Sequence, residues 1–324
     1  MAGQSAIQLT KGFNYLKEKG VGFFLLRLAI GLFYFKNREV EKMRMVVFKI
    51  CNNQTYAEQK VHGLKILLDL EDQGLAKDLV LYKTREPFSV QYLNKFVGIS
   101  DIVIDIGANI GLYALLEAKL ATEGKVYAIE PIPQNLDLLK ANIESNNLKN
   151  VEVFPLAISD STGKGQMYTY NKRNLASFNL NENARVTGSV DVSVMTLDGF
   201  IKAHVEEPPS FIRFDVEGHE LEIIKGATDL LSGKSPLKIF MEVHGVYINQ
   251  EELRSLLDML EQNEFNVNAV FREPNPFNLP SLKILSKLEK KSGGVGYGLV
   301  GASYDIVLKT ISEVGLCHVF LERN

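Results

Sequence analysis

From about residue 96 onward, short apolar runs alternate with stretches in which apolar positions recur at helical spacing. The runs at 102–106, 125–130, 151–155, 211–216 and 238–243 are rich in Val, Ile and Phe, as strands covered on both faces must be. Between them, 109–121, 133–147, 218–231 and 250–262 predict helices. Such alternation makes a parallel sheet with helices on both faces. Two further apolar runs, NVNAVF at 266–271 and YDIVLK at 304–309, flank a polar, glycine-rich insert. They read as an antiparallel hairpin closing the sheet. Residues 156–200, rich in Ser, Thr, Asn and Gly, read as irregular or hairpin-like.

Before this region the pattern is different. Residues 1–58 read as mostly helical. GLKILLDLEDQGLAKDLVLY, from Gly63, reads as a strand, a turn near Asp72 to Gly74, and a helix or second strand. REPFSVQYLNKFV reads as a helix leading into the main domain. The predicted organisation is an N-terminal extension over 1–95 and an α/β domain over 96–324 with an insert at 272–302. The apolar segment Val21 to Phe35 is interrupted by Arg27 and is shorter than the roughly 20 residues that span a bilayer. It fits a buried helix, or a helix lying in a membrane interface with Lys36, Arg38, Lys42 and Arg44 beside the headgroups.

Composition narrows the function classes. A net charge of −3 gives no basic field for nucleic acid. The two cysteines, Cys51 and Cys317, form no C-x-x-C pair, which argues against a disulfide framework or structural zinc and fits a cytoplasmic protein.

The chemistry begins at Asp105-Ile-Gly107-Ala108-Asn109-Ile-Gly111, where a strand meets a helix. Gly107 and Gly111 let the backbone turn sharply and a cofactor approach closely. A dinucleotide site would rest its pyrophosphate here on G-x-G-x-x-G. Asp105 replaces the first glycine and would repel that phosphate. It suits instead a cationic ligand without phosphate, such as S-adenosylmethionine. Glu130 ends the second strand about 20 residues on, placed to accept both ribose hydroxyls, as in NAD sites too. Asp160, after the third strand, is placed to hold the adenine edge or to begin a turn.

The ordered motifs DIGANIG, AIEPIPQN, LAISD, MTLDGF, FIRFDVEGHELEIIKGA and IFMEVHG resemble the FkbM-type S-adenosylmethionine-dependent methyltransferases over roughly residues 80–245. The resemblance implies a class I methyltransferase (Rossmann-like) fold, seven strands with the last antiparallel. It also implies methyl transfer to a hydroxyl on a sugar, glycan or related metabolite. Carried across, Asp105, Gly107, Ala108, Asn109, Gly111 and Glu130 are cofactor residues, with Asp105 at the methionine end and Glu130 at the ribose.

Two strands end in polar clusters, Asp215-Val-Glu217-Gly-His219-Glu220 and Glu242-Val-His244. An acceptor hydroxyl must lose its proton to a side chain or to a metal that acidifies it. His219 and His244 are candidate bases, with Asp215 to orient one; each histidine also fits a substrate contact or simple filling. Asp215, Glu217, Glu242 and His244 are candidate ligands for a divalent metal, while Glu217 and Glu220 also suit a helix N-terminus. Asp198 reads as an N-cap. Arg85 and Glu86 read as pocket residues or a local ion pair. The insert, with lysines at 283, 287, 290 and 291 and GGVGYG at 293–298, reads as a substrate-facing lid or a surface loop. An NAD-dependent oxidoreductase and a catalytically silent cofactor-binding module with a protein or membrane partner are the rival readings. Oligomeric state is not legible in the sequence.

Overall fold

The computed structural model describes residues 55–72, 74–180, 185–273 and 299–324. The chain divides after Ala57 into two compact units, and almost everything described belongs to the second. The expectations for the apolar helix at 21–44 and for the lid lysines and glycines at 283–298 lie outside the described residues. No helix among the described residues is long and apolar enough to cross a membrane.

The first described element corrects the helical reading of 1–58 at its end. Tyr56–Val61 is a strand, β1, paired with β2 (Leu64–Asp69). The two-residue connection, His62 and Gly63, has positive φ at both positions, the conformation tight hairpin turns need. Helices α1 (Leu75–Tyr82) and α2 (Pro87–Phe96) follow.

The main sheet then assembles from β3 (Ile102–Ile106), β4 (Lys125–Ile129), β5 (Val151–Phe154), β9 (Phe211–Phe214), β10 (Leu237–Val243), β11 (Asn266–Phe271) and β13 (Cys317–Arg323). Their spatial order is β5-β4-β3-β9-β10-β13-β11, with the two-residue β12 (Leu299–Val300) added at the edge. β3, β4, β5, β9 and β10 run parallel, and β13 is antiparallel to both β10 and β11. This is the seven-stranded class I methyltransferase arrangement, extended by one short strand. The closing antiparallel strand is β13, not 304–309. Tyr304–Val314 forms a helix, α9, that buries Tyr304, Val307 and Ile311 at helical spacing.

Helices α3 (Leu112–Leu120), α4 (Pro133–Ser145), α5 (Leu197–His204), α6 (Glu220–Lys225), α7 (Thr228–Ser232) and α8 (Gln250–Gln262) complete the layers. The predicted helix 218–231 breaks into α6 and α7 at Gly226, where an added Cβ would run into the Ser159 carbonyl. Asp198 does not cap its own helix. Thr196 does, accepting from Gly199 N, while Asp198 accepts from Asp229 and Leu230 N at the start of α7. Residues 156–200 are more ordered than expected: β6 (Ala157–Ser159), β7 (Gly163–Tyr170) and β8 (Val186–Thr196) make a second, three-stranded sheet.

Alternation along the strands sorts two cores. Ile104, Ile106, Ile212 and Phe214 face α5, α6 and α8, while Val103, Phe211, Phe240 and Phe320 face α2 and α3. By the same two-residue period, Asp105, Arg213, Glu242 and His318 stand on the second face.

Candidate functional site

A cleft of about 870 Å³, counted with its open mouth, lies at the carboxyl ends of β3, β4 and β9, where open α/β sheets bind ligands. Its floor is the β3–α3 turn. Gly107 and Ala108 N both donate to the Ile129 carbonyl, pulling the turn against β4. Gly107 has φ +80°, and a side chain there would strike the Asp215 carbonyl. Asn109, with φ +53°, donates its N–H to Glu130 Oε2 at 2.8 Å.

Gly107, Ala108, Asn109 and Glu130 therefore line the cleft together. Gly111 does not. It starts α3 at φ +94°, and a Cβ there would meet Leu115 and Leu139, so it serves helix packing. Asp160 also lies outside the lining; it is exposed and accepts from Ser159 and Ser161 hydroxyls.

Glu130 is the polar anchor of one wall. Oε1 accepts from Ile132 N at 2.9 Å and Asn135 Nδ2 at 3.2 Å. Burial pushes its carboxyl up to about 7, against the pull of those backbone donors. Asn135 Oδ1 is buried without a protein partner and lines the same cleft. Ile132, Ile158, Met167 and Phe178 make the adjoining wall apolar.

Asp105 stands differently. It is 0% exposed, absent from the lining, and accepts from Arg213 Nη1 at 2.9 Å. Its second oxygen, Oδ2, has no partner among the described residues. Arg213 lies 3.6 Å over the Tyr113 ring and reaches Asp215 Oδ2 at 3.3 Å. Burial works against ionising Asp215, but the Arg213 charge holds it below the usual carboxylate range.

The far wall carries Asp215, Glu217 and His219. The adjacency of β9 and β10 brings His244 to the same place: one ligand atom each from Asp215, Glu217 and His244 lie within 4.8 Å of one another. His244 Nδ1 meets Glu220 Oε1 at 2.8 Å, and Nε2 meets Glu217 Oε2 at 3.3 Å and Glu242 Oε1 at 3.9 Å. Burial alone would lower His244; the Glu220 hydrogen bond and the Glu217 charge raise it well above its ordinary value. These contacts favour the protonated ring, and the orienting carboxylates are Glu220 and Glu217 rather than Asp215.

His219 is the opposite case. Nε2 bonds Ser159 Oγ at 2.9 Å, the ring packs on Phe178 at 4.6 Å, and burial lowers its pKa. Glu217 sits at φ +54°, with burial pushing its carboxyl up to about 7. As a proton acceptor near neutrality it was not visible in the sequence, which shows only a carboxylate ahead of a helix.

Arg85 and Glu86 also line the cleft. They form an ion pair at 2.7 Å, with Asp78 at 3.3 Å from Arg85, and Tyr113 OH donates to Glu86. The pair is thus an ion pair set at the wall of the cleft.

Comparison with known proteins agrees with this arrangement. The Methyltransferase FkbM domain matches residues 105–267, just over half of the 324 residues. The hexuronic acid methyltransferase AglP of Haloferax volcanii is 29% identical over 144 residues, covering 44% of this chain and 56% of AglP. A ribosomal protein L11 methyltransferase of Thermoanaerobacter pseudethanolicus is 27% identical over 179 residues, covering 51% and 57% respectively. The chain thus spans a little over half the length of these relatives. The crystal structure of a methyltransferase FkbM from Methylobacillus flagellatus superposes with TM-score 0.39 at 19% identity, covering 55% of this chain and 41% of that one. On its matched domain, the chain belongs to the FkbM methyltransferase family.

Proposed function

We propose that this protein transfers a methyl group from S-adenosylmethionine to a hydroxyl of a sugar or glycan. The observation that carries the reading is the cleft itself. It joins a buried carboxylate on the β4 wall, Glu130, to a carboxylate-rich wall at β9, across a glycine turn with no phosphate cradle. The residues fit the cofactor. Glu130 keeps acceptor capacity for ribose hydroxyls, and Asn135 Oδ1 is an unpaired acceptor beside it. Ile132, Ile158 and Phe178 offer apolar cover for a base. Asp215 and Glu217 suit a cationic centre. Asp105 supports this set from beneath by holding Arg213; Gly107, Ala108 and Asn109 contribute the turn. S-adenosylmethionine, when bound, supplies a methyl group already activated as a sulfonium.

What remains for the protein is alignment and removal of one proton. We assign the proton to Glu217, whose carboxyl titrates near 7 at the lining, with the His244 imidazolium beside it to stabilise the ionised form. Asp215 shapes the same wall through Arg213. His219, neutral and pocket-facing, is the second candidate base, favoured by its lowered pKa. The sugar acceptor draws support from AglP; the L11 relative motivates a protein acceptor as the competing class. We place the transfer machinery within 96–324, with Arg85 and Glu86 contributed by the 1–95 extension. Cys317 is a free, buried thiol, in keeping with a cytoplasmic setting.

Calorimetric titration with S-adenosylmethionine, S-adenosylhomocysteine and NAD tests the cofactor. Binding of the two sulfur ligands and not NAD is expected; NAD binding alone would move the protein to redox chemistry. Radiolabelled methyl transfer to neutral hexosides, hexuronides and protein then sorts the acceptor, and label confined to protein would overturn the sugar reading.

A further inference from the structure

Glu242 and His318 are direct cross-strand neighbours on β10 and β13, on the sheet face that packs against α2. Glu86, the residue just before α2, reaches the same spot. One ligand atom from each of Glu86, Glu242 and His318 lie within 4.8 Å of one another. None of the methyl-transfer roles above uses His318.

This imidazole is 4% exposed and stacks on Phe271 at 5.3 Å and Phe240 at 5.8 Å. Among the described residues it makes no hydrogen bond and no ion pair. With no hydrogen bond to protein among the described residues, its ring nitrogens are open to a ligand where polar groups are nearly always paired. A neutral imidazole offers one nitrogen lone pair to a Lewis acid. Of the facing carboxylates, Glu86 is paired with Arg85, while the ion pair of Glu242 among the described residues is the long one to His244 Nε2 at 3.9 Å. Glu86 accepts from Arg85 and Tyr113, one donor per oxygen, and each oxygen retains a second lone pair. Arg85 is shared with Asp78.

We propose that Glu86, Glu242 and His318 bind a first-row divalent transition-metal ion at the wall of the cleft. Two carboxylates and one imidazole favour Mn²⁺, Fe²⁺ or Zn²⁺ over Mg²⁺ or Ca²⁺. The site adjoins the Asp215, Glu217 and His244 set, with Glu242 Oε1 3.9 Å from His244 Nε2. There each group already has a protein counter-charge: Arg213 for Asp215, and Glu220 and Glu217 for His244. An ion at His318 ties the loop before α2 to β10 and β13. It thereby fixes Arg85 and Glu86 at the cleft, and Glu242 beside His244.

The test is titration of the metal-stripped full chain with Mn²⁺, followed by the loss of the free-ion electron paramagnetic resonance signal, and with Zn²⁺ by calorimetry. Saturable binding of one ion per chain is expected. His318→Ala and the isosteric Glu242→Gln should each weaken it at least about tenfold, and Glu217→Gln, which alters the neighbouring set without removing a ligand of this one, should weaken it less than either. Should His318→Ala fail to fold, Glu242→Gln decides. Absence of saturable binding of either ion, or binding that survives Glu242→Gln and disappears in Glu217→Gln, overturns the site.

Discussion

Arg213 and Asp105 are direct neighbours on adjacent parallel strands, and Arg213 Nη1 donates to Asp105 Oδ1 at 2.9 Å with both side chains buried. The register of β9 against β3 places this pair under the cleft, and the second arm of Arg213 carries its charge to Asp215. A sequence-level cofactor carboxylate is thus also the buttress of the opposite wall.

Removing the cation should strand two acidic groups. Arg213→Met is expected to cost about 3–5 kcal/mol, the usual penalty for breaking a buried pair. Asp105→Asn in the same chain should recover a large part of it, because one stranded charge is gone. Urea unfolding of the two single variants and the double variant measures this; no coupling between the positions would dismiss the buttress.

As the proposed base, Glu217 should set the pH dependence of turnover. A base must be ionised, so kcat/KM should rise as pH increases through about 7 and level off above it. Glu217→Gln should lower the rate by about a hundredfold or more and erase that inflection. If the inflection instead persists in Glu217→Gln and vanishes in His219→Asn, the proton belongs to His219.

Cofactor affinity should depend on Glu130 in the same direction. Its carboxyl titrates near 7, and only the ionised form accepts from two ribose hydroxyls at once. Binding of S-adenosylhomocysteine should therefore weaken as pH falls from 8 to about 6. Glu130→Gln should lose about 1.5–3 kcal/mol of binding, the worth of a charged hydrogen bond, and lose the pH dependence with it. Calorimetry at three pH values reads both.

Glu117 offers a gain in stability. It lies on α3, fully buried, and neither oxygen has a hydrogen-bond partner among the described residues. Burial and the nearby Asp105 charge raise its pKa well above 4.5. Below the unfolded value both states are protonated. As pH rises past it the unfolded chain ionises first, so stability falls towards neutral pH. Glu117→Gln should raise Tm at pH 8, by about 1–3 kcal/mol equivalent, and do much less at pH 4.5. An equal change at both pH values would contradict the assignment.

Several elements were legible because local pattern and final burial coincide. β3, β4, β9 and β10 are short apolar runs whose both faces end in a core, and DIGANIG has one backbone solution between β3 and α3. YDIVLK misled for a physical reason. A six-residue apolar run carries too few periods to separate strand from helix, and the burial of Val307 and Ile311 is decided by α8 and the sheet. The true closing strand, CHVFLER, breaks the alternation with His318, whose partners arrive from β10, β11 and the loop before α2.

The order of motifs along the chain determined the family, the parallel sheet and the placing of Glu130 at a strand end, since each depends on residues close in sequence. The tertiary structure alone decided what the charges do. Asp105 turned inward to a strand neighbour 108 positions away, His244 was set between Glu220 and Glu217, which raise its pKa, and burial pushed the Glu217 carboxyl up to about 7. Charge state depends on desolvation and on which groups share a few ångströms, and those are set by packing between distant segments, which no local pattern records.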